Sequence, residues 1–242
     1  MKINKIYNES CLKTLSKMPD NFVNLSITSP PYNMNLRIYN GRYHSRQIVK
    51  EFSTKYEGFA DNYPIEDYFE FHKNVLNELI RVSNLVFYTI QIVTGSKRAL
   101  FKIIGEFSDY LKDIIIWDKQ RSQPAMLEKV LNKRVELILI FEKDYPIARQ
   151  FRHQATFDRG KLDDIWSIAR TKSKSFKHGA TFPEELVSTI LENFSKKGDI
   201  IYDPFLGTGT TAVVAKRLNR KYIGSELLKE YYELSNERLR LI

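Results

Sequence analysis

"GDIIYDPFLGTGTTAVVAKRLNRKYIGSEL", Gly198 to Leu227, holds a strand, a turn, a helix and a second strand in one stretch. The first strand, Asp199 to Tyr202, is apolar and stops at Asp203-Pro204. Gly207 and Gly209 supply a tight turn, and Thr210 and Thr211 can cap a helix, Thr210 to Leu218, whose Ala212, Val213 and Ala215 face a core. Glycines allow positive φ and close backbone approach, which suits a ligand over the strand's carboxyl end near the helix N-terminus. The second strand, Lys221 to Gly224, ends beside Glu226. An acidic residue there can accept hydrogen bonds from both ribose hydroxyls of a nucleoside-like cofactor. A phosphate-binding loop is the competitor, but GxxxxGK[ST] needs a lysine that does not follow Gly209. On these residues alone, glycines that merely tighten a connection remain an alternative.

The alternation continues outward. Strand candidates are Lys5 to Asn8, Val23 to Thr28, Leu85 to Ile90, Leu111 to Trp117 and Val135 to Phe141. Between and after them lie helix candidates Cys11 to Lys17, Ile65 to Val82, Ser96 to Phe107, Pro183 to Asn193 and Lys229 to Leu239. This is the pattern of a parallel sheet covered by helices. One long irregular segment, Asn33 to Pro64, carries Arg37, Arg42, Arg46, Lys50 and Lys55 among six aromatic residues; a loop of that length is either functional or a solvated insertion.

A second abrupt stop lies at "NLSITSPPYN", Asn24 to Asn33. Prolines fix φ and donate no hydrogen bond, so Pro30-Pro31 ends the strand and locks an extended turn at its carboxyl edge, where open α/β sheets bind ligands. The turn offers the Ser29 hydroxyl, the Pro30 carbonyl and the Tyr32 ring. Two acceptors and a stacking face fit a planar heterocycle bearing an amino group; a proline-ended loop with a core tyrosine is the plainer reading.

Composition narrows the class. The 242 residues, 43% hydrophobic and 28% charged, suit one α/β domain. Lys and Arg outnumber Asp and Glu by 38 to 29, a net charge of +9 that points to an anionic partner such as nucleic acid. The one cysteine, Cys11, precludes an internal disulfide, and the four histidines show no metal-ligand spacing, so no metal is expected. No run approaches the roughly twenty apolar residues of a membrane span, and the N-terminus lacks a signal-peptide core, so the expectation is a cytoplasmic protein with no membrane partner.

Taken together, "TSPPYN" and "DPFLGTGTT" resemble the amino-group DNA methyltransferases, whose [DNS]-P-P-[YFW] tetrapeptide holds the target base and whose F-x-G-x-G loop holds S-adenosylmethionine. "YNESCLKTLSKMPDNFVNLSITSPPYN", "HGATFPEEL" and "YIGSELLKEYYELSNERL" resemble further blocks of that family, so the likeness runs along most of the chain. The tetrapeptide precedes the cofactor loop, as in the permuted beta group. The resemblance implies an α/β, Rossmann-like methyltransferase fold of circularly permuted motif order, a mostly parallel sheet with helices on both faces, and residues 1–242 as a single catalytic domain. With the break after the last helix, the N-terminal strands are expected to close into one sheet with the C-terminal ones.

The implied roles follow. Ser29, Pro30, Pro31 and Tyr32 form the catalytic turn, the Ser29 hydroxyl and Pro30 carbonyl accepting the amino hydrogens and Tyr32 stacking on a flipped base. S-adenosylmethionine is held by Ser10, His178, Thr181, Phe182, Pro183, Asp203, Pro204, Phe205, Gly207, Gly209, Thr210 and Glu226. The transfer is direct; a ring-carbon methylase would need a nucleophilic thiol, and Cys11 reads as core. The family's usual Gly-Asp before the N-terminal helix is here Glu9-Ser10, and its usual proline after the histidine is Gly179. Double-stranded DNA is expected to meet residues 33–64 and 119–134 through Arg37, Arg42, Arg46, Lys50, Lys119 and Arg121. With little room for a recognition domain, a homodimer is a candidate assembly, and a cognate restriction endonuclease a candidate partner. Serine at the first tetrapeptide position is, by resemblance, more typical of cytosine than adenine targets. An RNA or protein methyltransferase and a non-catalytic nucleic-acid-binding module are the readings from other classes.

Overall fold

The computed structural model describes residues 1–33, 37–39, 42–44, 63–93, 96–123, 128–144, 147–152, 155–170 and 182–242. In chain order the elements are β1 (Lys5–Tyr7), α1 (Cys11–Leu15), β2 (Val23–Thr28), β3 (Arg37–Tyr39), β4 (Arg42–His44), α2 (Ile65–Val82), β5 (Ser83–Ile90) and α3 (Lys97–Glu106). Then come β6 (Leu111–Gln123), β7 (Lys133–Glu142), β8 (Ile165–Ser167), α4 (Glu184–Phe194), β9 (Ile200–Asp203), α5 (Thr210–Arg217), β10 (Lys221–Ser225) and α6 (Lys229–Arg240).

Eight strands make one sheet in the order β1-β10-β9-β2-β5-β7-β6-β8. The strands from β1 to β5 in that order are parallel, β7 runs antiparallel to both neighbours, and β8 is parallel to β6. The first strand, β1, and the last, β10, pair at one edge of this order, so the chain's two ends close into one sheet as the permuted reading requires. Ile6 pairs with Gly224, and Leu25 pairs with Ile201, so β1 and β2 embrace the C-terminal β9–β10 pair from either side.

Helices cover both faces because the central strands are apolar on both. On β5, Val86, Tyr88 and Ile90 pack with α1, α2 and α3 through Leu15, Leu76, Leu79 and Leu100. The alternate residues Leu85 and Phe87 pack with α4 and α5 through Leu186, Ile190, Val214 and Ala215. Each such fully buried side chain contributes about 1.5–3 kcal/mol of hydrophobic free energy. Helix α2 begins behind Pro64, with Glu66 and Asp67 in its first turn and Arg81 in its last, charges that complement its dipole.

Three readings change. Residues 119–134 are not one loop: β6 runs on to Gln123 and β7 starts at Lys133, so both ends of the segment are strand. Residues 33–64 contain the hairpin β3–β4, whose strands pair Ile38 with Tyr43. Strand β8 leaves no signature in the sequence, because its three residues are too few for alternation to register; it is held by pairing with β6 from Ile116 to Asp118. Among the described residues no helix is long and apolar enough to cross a membrane.

Candidate active site at the carboxyl edge of the sheet

Strands β1, β10, β9, β2 and β5 deliver their carboxyl ends to one edge, and the residues after them form the site. At β9, the buried Asp203 carboxylate organises the glycine turn. Its Oδ1 accepts the Thr28 hydroxyl and the Phe205 N–H, both at 3.0 Å, and its Oδ2 accepts the Thr211 hydroxyl at 2.7 Å. Burial pushes the Asp203 carboxyl up to about 6 against these hydrogen bonds. Thr211 therefore serves the turn and does not cap α5. The N-cap is Gly209, left-handed at φ 87°, with no side-chain cap. Thr210 likewise turns its hydroxyl to Arg238 of α6, which also donates to the Thr208 carbonyl at 2.7 Å. Pro204 is buried, and the Phe205 ring, partly buried, lies 5.9 Å from that of Phe71 on α2.

At β10, Glu226 sits where the second strand ends. Its Oε2 accepts the Gly207 N–H at 2.7 Å and its Oε1 the Leu228 N–H at 2.8 Å. Burial raises its carboxyl above the usual range. Asn8 links β1 to this strand, donating to the Glu226 and Leu227 carbonyls. Ser10 is exposed at the start of α1, and its hydroxyl makes no cap; Glu9 is occupied by Lys17 and Thr14, at 2.5 and 3.1 Å. Cys11 is core, its thiol pushed up to about 12 by burial, which leaves no thiolate for nucleophilic work.

At β2, the tetrapeptide is held from several sides. Tyr68 donates to the Pro31 carbonyl at 2.8 Å and Ser96 to the Tyr32 carbonyl at 3.2 Å. Asn33, at φ 51°, exchanges two hydrogen bonds with the Tyr63 backbone. No hydrogen bond among the described residues uses the Pro30 carbonyl. The Ser29 hydroxyl lies 2.8 Å from that of Tyr32, which donates to Glu136 of β7 at 2.7 Å. Lys119 completes this cluster and corrects its sequence reading: its side chain is fully buried, with the amine 2.9 Å from Glu136, so it does not face phosphate. Arg121 is exposed. Phe182 is partly buried and Pro183 caps α4 from its extended backbone. His178, Thr181, Gly179, Arg46 and Lys50 lie outside the described residues, and Arg37 and Arg42 belong to the β3–β4 backbone hairpin.

A DNA methylase family model matches residues 23–237 of the chain. The chain belongs to the DNA methylase family. It is an S-adenosylmethionine-dependent DNA amino-methyltransferase. Among its relatives, the Type II methyltransferase M.BglII of Bacillus subtilis is 27% identical over 271 residues, 98% of this chain and 69% of that one. The PvuII DNA methyltransferase (cytosine-N4-specific) superposes with a TM-score of 0.72 at 18% identity, covering 98% of this chain and 86% of that one. The M1.HpyAVI–SAM complex gives 0.60 at 19% identity, covering 97% and 98%. At these identities the superpositions establish the shared fold.

The methyltransferase's own geometry suits the cofactor. The space beside Gly207 is open, with only the Phe205 carbonyl at 4.0 Å from where a Cβ would stand, so ligand atoms can approach the backbone there. Each Glu226 oxygen accepts one of these backbone N–H groups and has a further lone pair. Sequence reasoning missed Tyr68, Asn8, Arg238 and Glu136. Only Glu136 left a signal, a lone carboxylate in the apolar run Val135 to Phe141.

Proposed function

We propose that the enzyme methylates the exocyclic amino group of cytosine in double-stranded DNA, with residues 1–242 acting as one catalytic domain in the cytoplasm. When bound, S-adenosylmethionine supplies a methyl group on a sulfonium centre. Glu226 holds the ribose, the Phe205 to Gly209 turn takes the backbone-facing side, and Asp203, Pro204, Thr210 and Ser10 border it. Phe182, Pro183, His178 and Thr181 close the methionine end.

An exocyclic amino nitrogen is a poor nucleophile because its lone pair is delocalised into the ring. The site must accept its hydrogens and favour a pyramidal nitrogen. Ser29 Oγ and the Pro30 carbonyl accept one hydrogen each, Pro31 fixes the turn, and the Tyr32 ring stacks on the flipped base. The Pro30 carbonyl, which no hydrogen bond among the described residues uses, follows Ser29 directly in the chain; this is the observation that carries this reading, because two acceptors from consecutive residues match one NH2 group. The choice of cytosine rests on serine as the first tetrapeptide residue. Arg37, Arg42, Arg46, Lys50 and Arg121 are assigned to DNA phosphates. A restriction-modification or similar DNA-modification system is the proposed setting, in line with a relative named a Type II methyltransferase.

The test is incubation with S-adenosylmethionine and mixed-sequence duplex DNA, digestion to nucleosides and mass spectrometry, with Ser29→Ala and Tyr32→Ala alongside. Cytosine methylated on its amino group, sharply reduced in both variants, is the expected result. Amino-methylated adenine would keep the acceptor geometry and overturn the base.

A further inference from the structure

The Ser29, Tyr32, Glu136, Lys119 and Arg170 cluster holds more order than base stacking requires. Its hydrogens can be counted. Glu136 lies between Lys119, at 2.9 Å, and Arg170, at 3.5 Å, and an ionised carboxylate only accepts. Tyr32 has a single hydroxyl hydrogen, and burial above all, then the Glu136 charge, holds that phenol protonated. Its hydrogen goes to Glu136 at 2.7 Å. The 2.8 Å contact between Ser29 and Tyr32 then has one solution: Ser29 donates and the Tyr32 oxygen accepts. Ser29 has spent its only hydrogen, and what remains on its oxygen is lone pairs.

We propose that Glu136 is a positioning residue for methyl transfer, which through the Tyr32 hydroxyl turns the Ser29 hydrogen away from the target and leaves Ser29 an acceptor only. The inference rests on the reading that Ser29 accepts from the target amino group. A carboxylate in the place of Ser29 would need no such device, since it carries no hydrogen to misdirect. A serine does: left to rotate, its hydrogen can point at the NH2 group, donor against donor. The pair with Lys119 fixes Glu136 in place, and burial of Glu136 excludes the water that would otherwise satisfy Tyr32.

Glu136→Gln tests this. An amide has one oxygen; if Lys119 takes it, the NH2 end faces Tyr32 and the chain reverses, so that Tyr32 donates to Ser29 and the Ser29 hydrogen swings toward the base. The single-turnover rate on mixed-sequence duplex DNA should fall about 10- to 100-fold, the range expected when a hydrogen bond to a charged group is lost. The dissociation constant for S-adenosylmethionine should stay within about threefold, because Glu226 and the glycine turn are untouched. Tyr32→Phe keeps the ring and breaks the same chain, so it should slow transfer comparably and serves if Glu136→Gln does not fold. The deciding comparison is made in Ser29→Ala: adding Glu136→Gln or Tyr32→Phe should cause no further loss. An undiminished rate in Glu136→Gln, or an equal loss with and without Ser29, would overturn the inference. A full rate in Ser29→Ala itself would instead overturn the role given to Ser29, and is read separately.

Discussion

Two glycines of the methyltransferase share a φ of 87° but not a neighbourhood, which lets backbone strain be separated from packing. Gly198, in the turn before β9, has nothing within 4 Å of where a Cβ would stand. Gly209, the N-cap of α5, would place its Cβ 2.7 Å from the Ser235 Cβ and 3.1 Å from the Ser235 Cα on α6. Gly198→Ala should therefore cost only the left-handed backbone penalty, about 1–2 kcal/mol. Gly209→Ala should add an overpacking term of about 1–3 kcal/mol, because Ser235 is buried and its Cα cannot yield without moving α6. The predicted gap between the variants is thus about 1–3 kcal/mol, or roughly 2–4 °C in Tm for each kcal/mol in a chain of this size. Urea unfolding with matched m-values measures it. The displaced helix carries Arg238, which holds the Thr208 carbonyl, so Gly209→Ala should also weaken S-adenosylmethionine binding while Gly198→Ala leaves it intact. Equal destabilisation by both variants, with equal cofactor affinity, would refute the reasoning that α6 buttresses the glycine turn.

Glu226→Gln should weaken S-adenosylmethionine binding about 10- to 100-fold by calorimetry, since an amide leaves either the Gly207 or the Leu228 N–H without an acceptor and removes the charge. Two buried groups should give opposed pH slopes in stability. Asp203, raised from 3.8 to about 6, makes the folded state hold an extra proton between those values, so its contribution declines by about 3 kcal/mol as pH rises through the window. His72, lowered from 6.5 to about 3 by burial, makes the unfolded state hold the extra proton, so its contribution is complete above pH 6.5 and declines by about 1.4 kcal/mol per unit as pH falls toward 3. Between pH 4 and 6 the two offset each other; Asp203→Asn should leave stability rising with pH and His72→Leu should leave it falling, both readable from urea midpoints across that range. Finally, Arg121→Ala should lower the magnitude of the salt slope of DNA binding by about 1 if that exposed guanidinium neutralises a phosphate.

Much of the methyltransferase was readable from local pattern. Helix α2 has the bounds the sequence predicts, Ile65–Val82, because a proline start, acidic first turn and unbroken apolar face all agree there. The strand ends at Thr28 and Asp203 were equally legible, since Pro30-Pro31 and Pro204 with its glycines punctuate them in the sequence itself. Less legible were elements whose identity depends on a distant partner. Strand β8 exists because Trp117 and Trp166 pair across the sheet edge, and β6 continues to Gln123 because β7 lies alongside.

The same division runs through the site. Short-range chemistry determined that Ser29 to Tyr32 and Asp203 to Gly209 end strands and expose groups, and that Glu226 follows the second strand of the unit that holds the glycine turn. Only the tertiary structure decided what those groups touch. Lys119, basic in a basic stretch, reads as a phosphate contact, yet a sheet that brings β6 beside β7 buries it against Glu136. Glu136 in turn is 104 residues from Tyr32 and meets it only because β7 lies next to β5 at the carboxyl edge. A residue's propensity and punctuation act over a few neighbours and can be read along the chain. Burial, and the partner that makes a buried charge tolerable, are set across strands far apart in sequence.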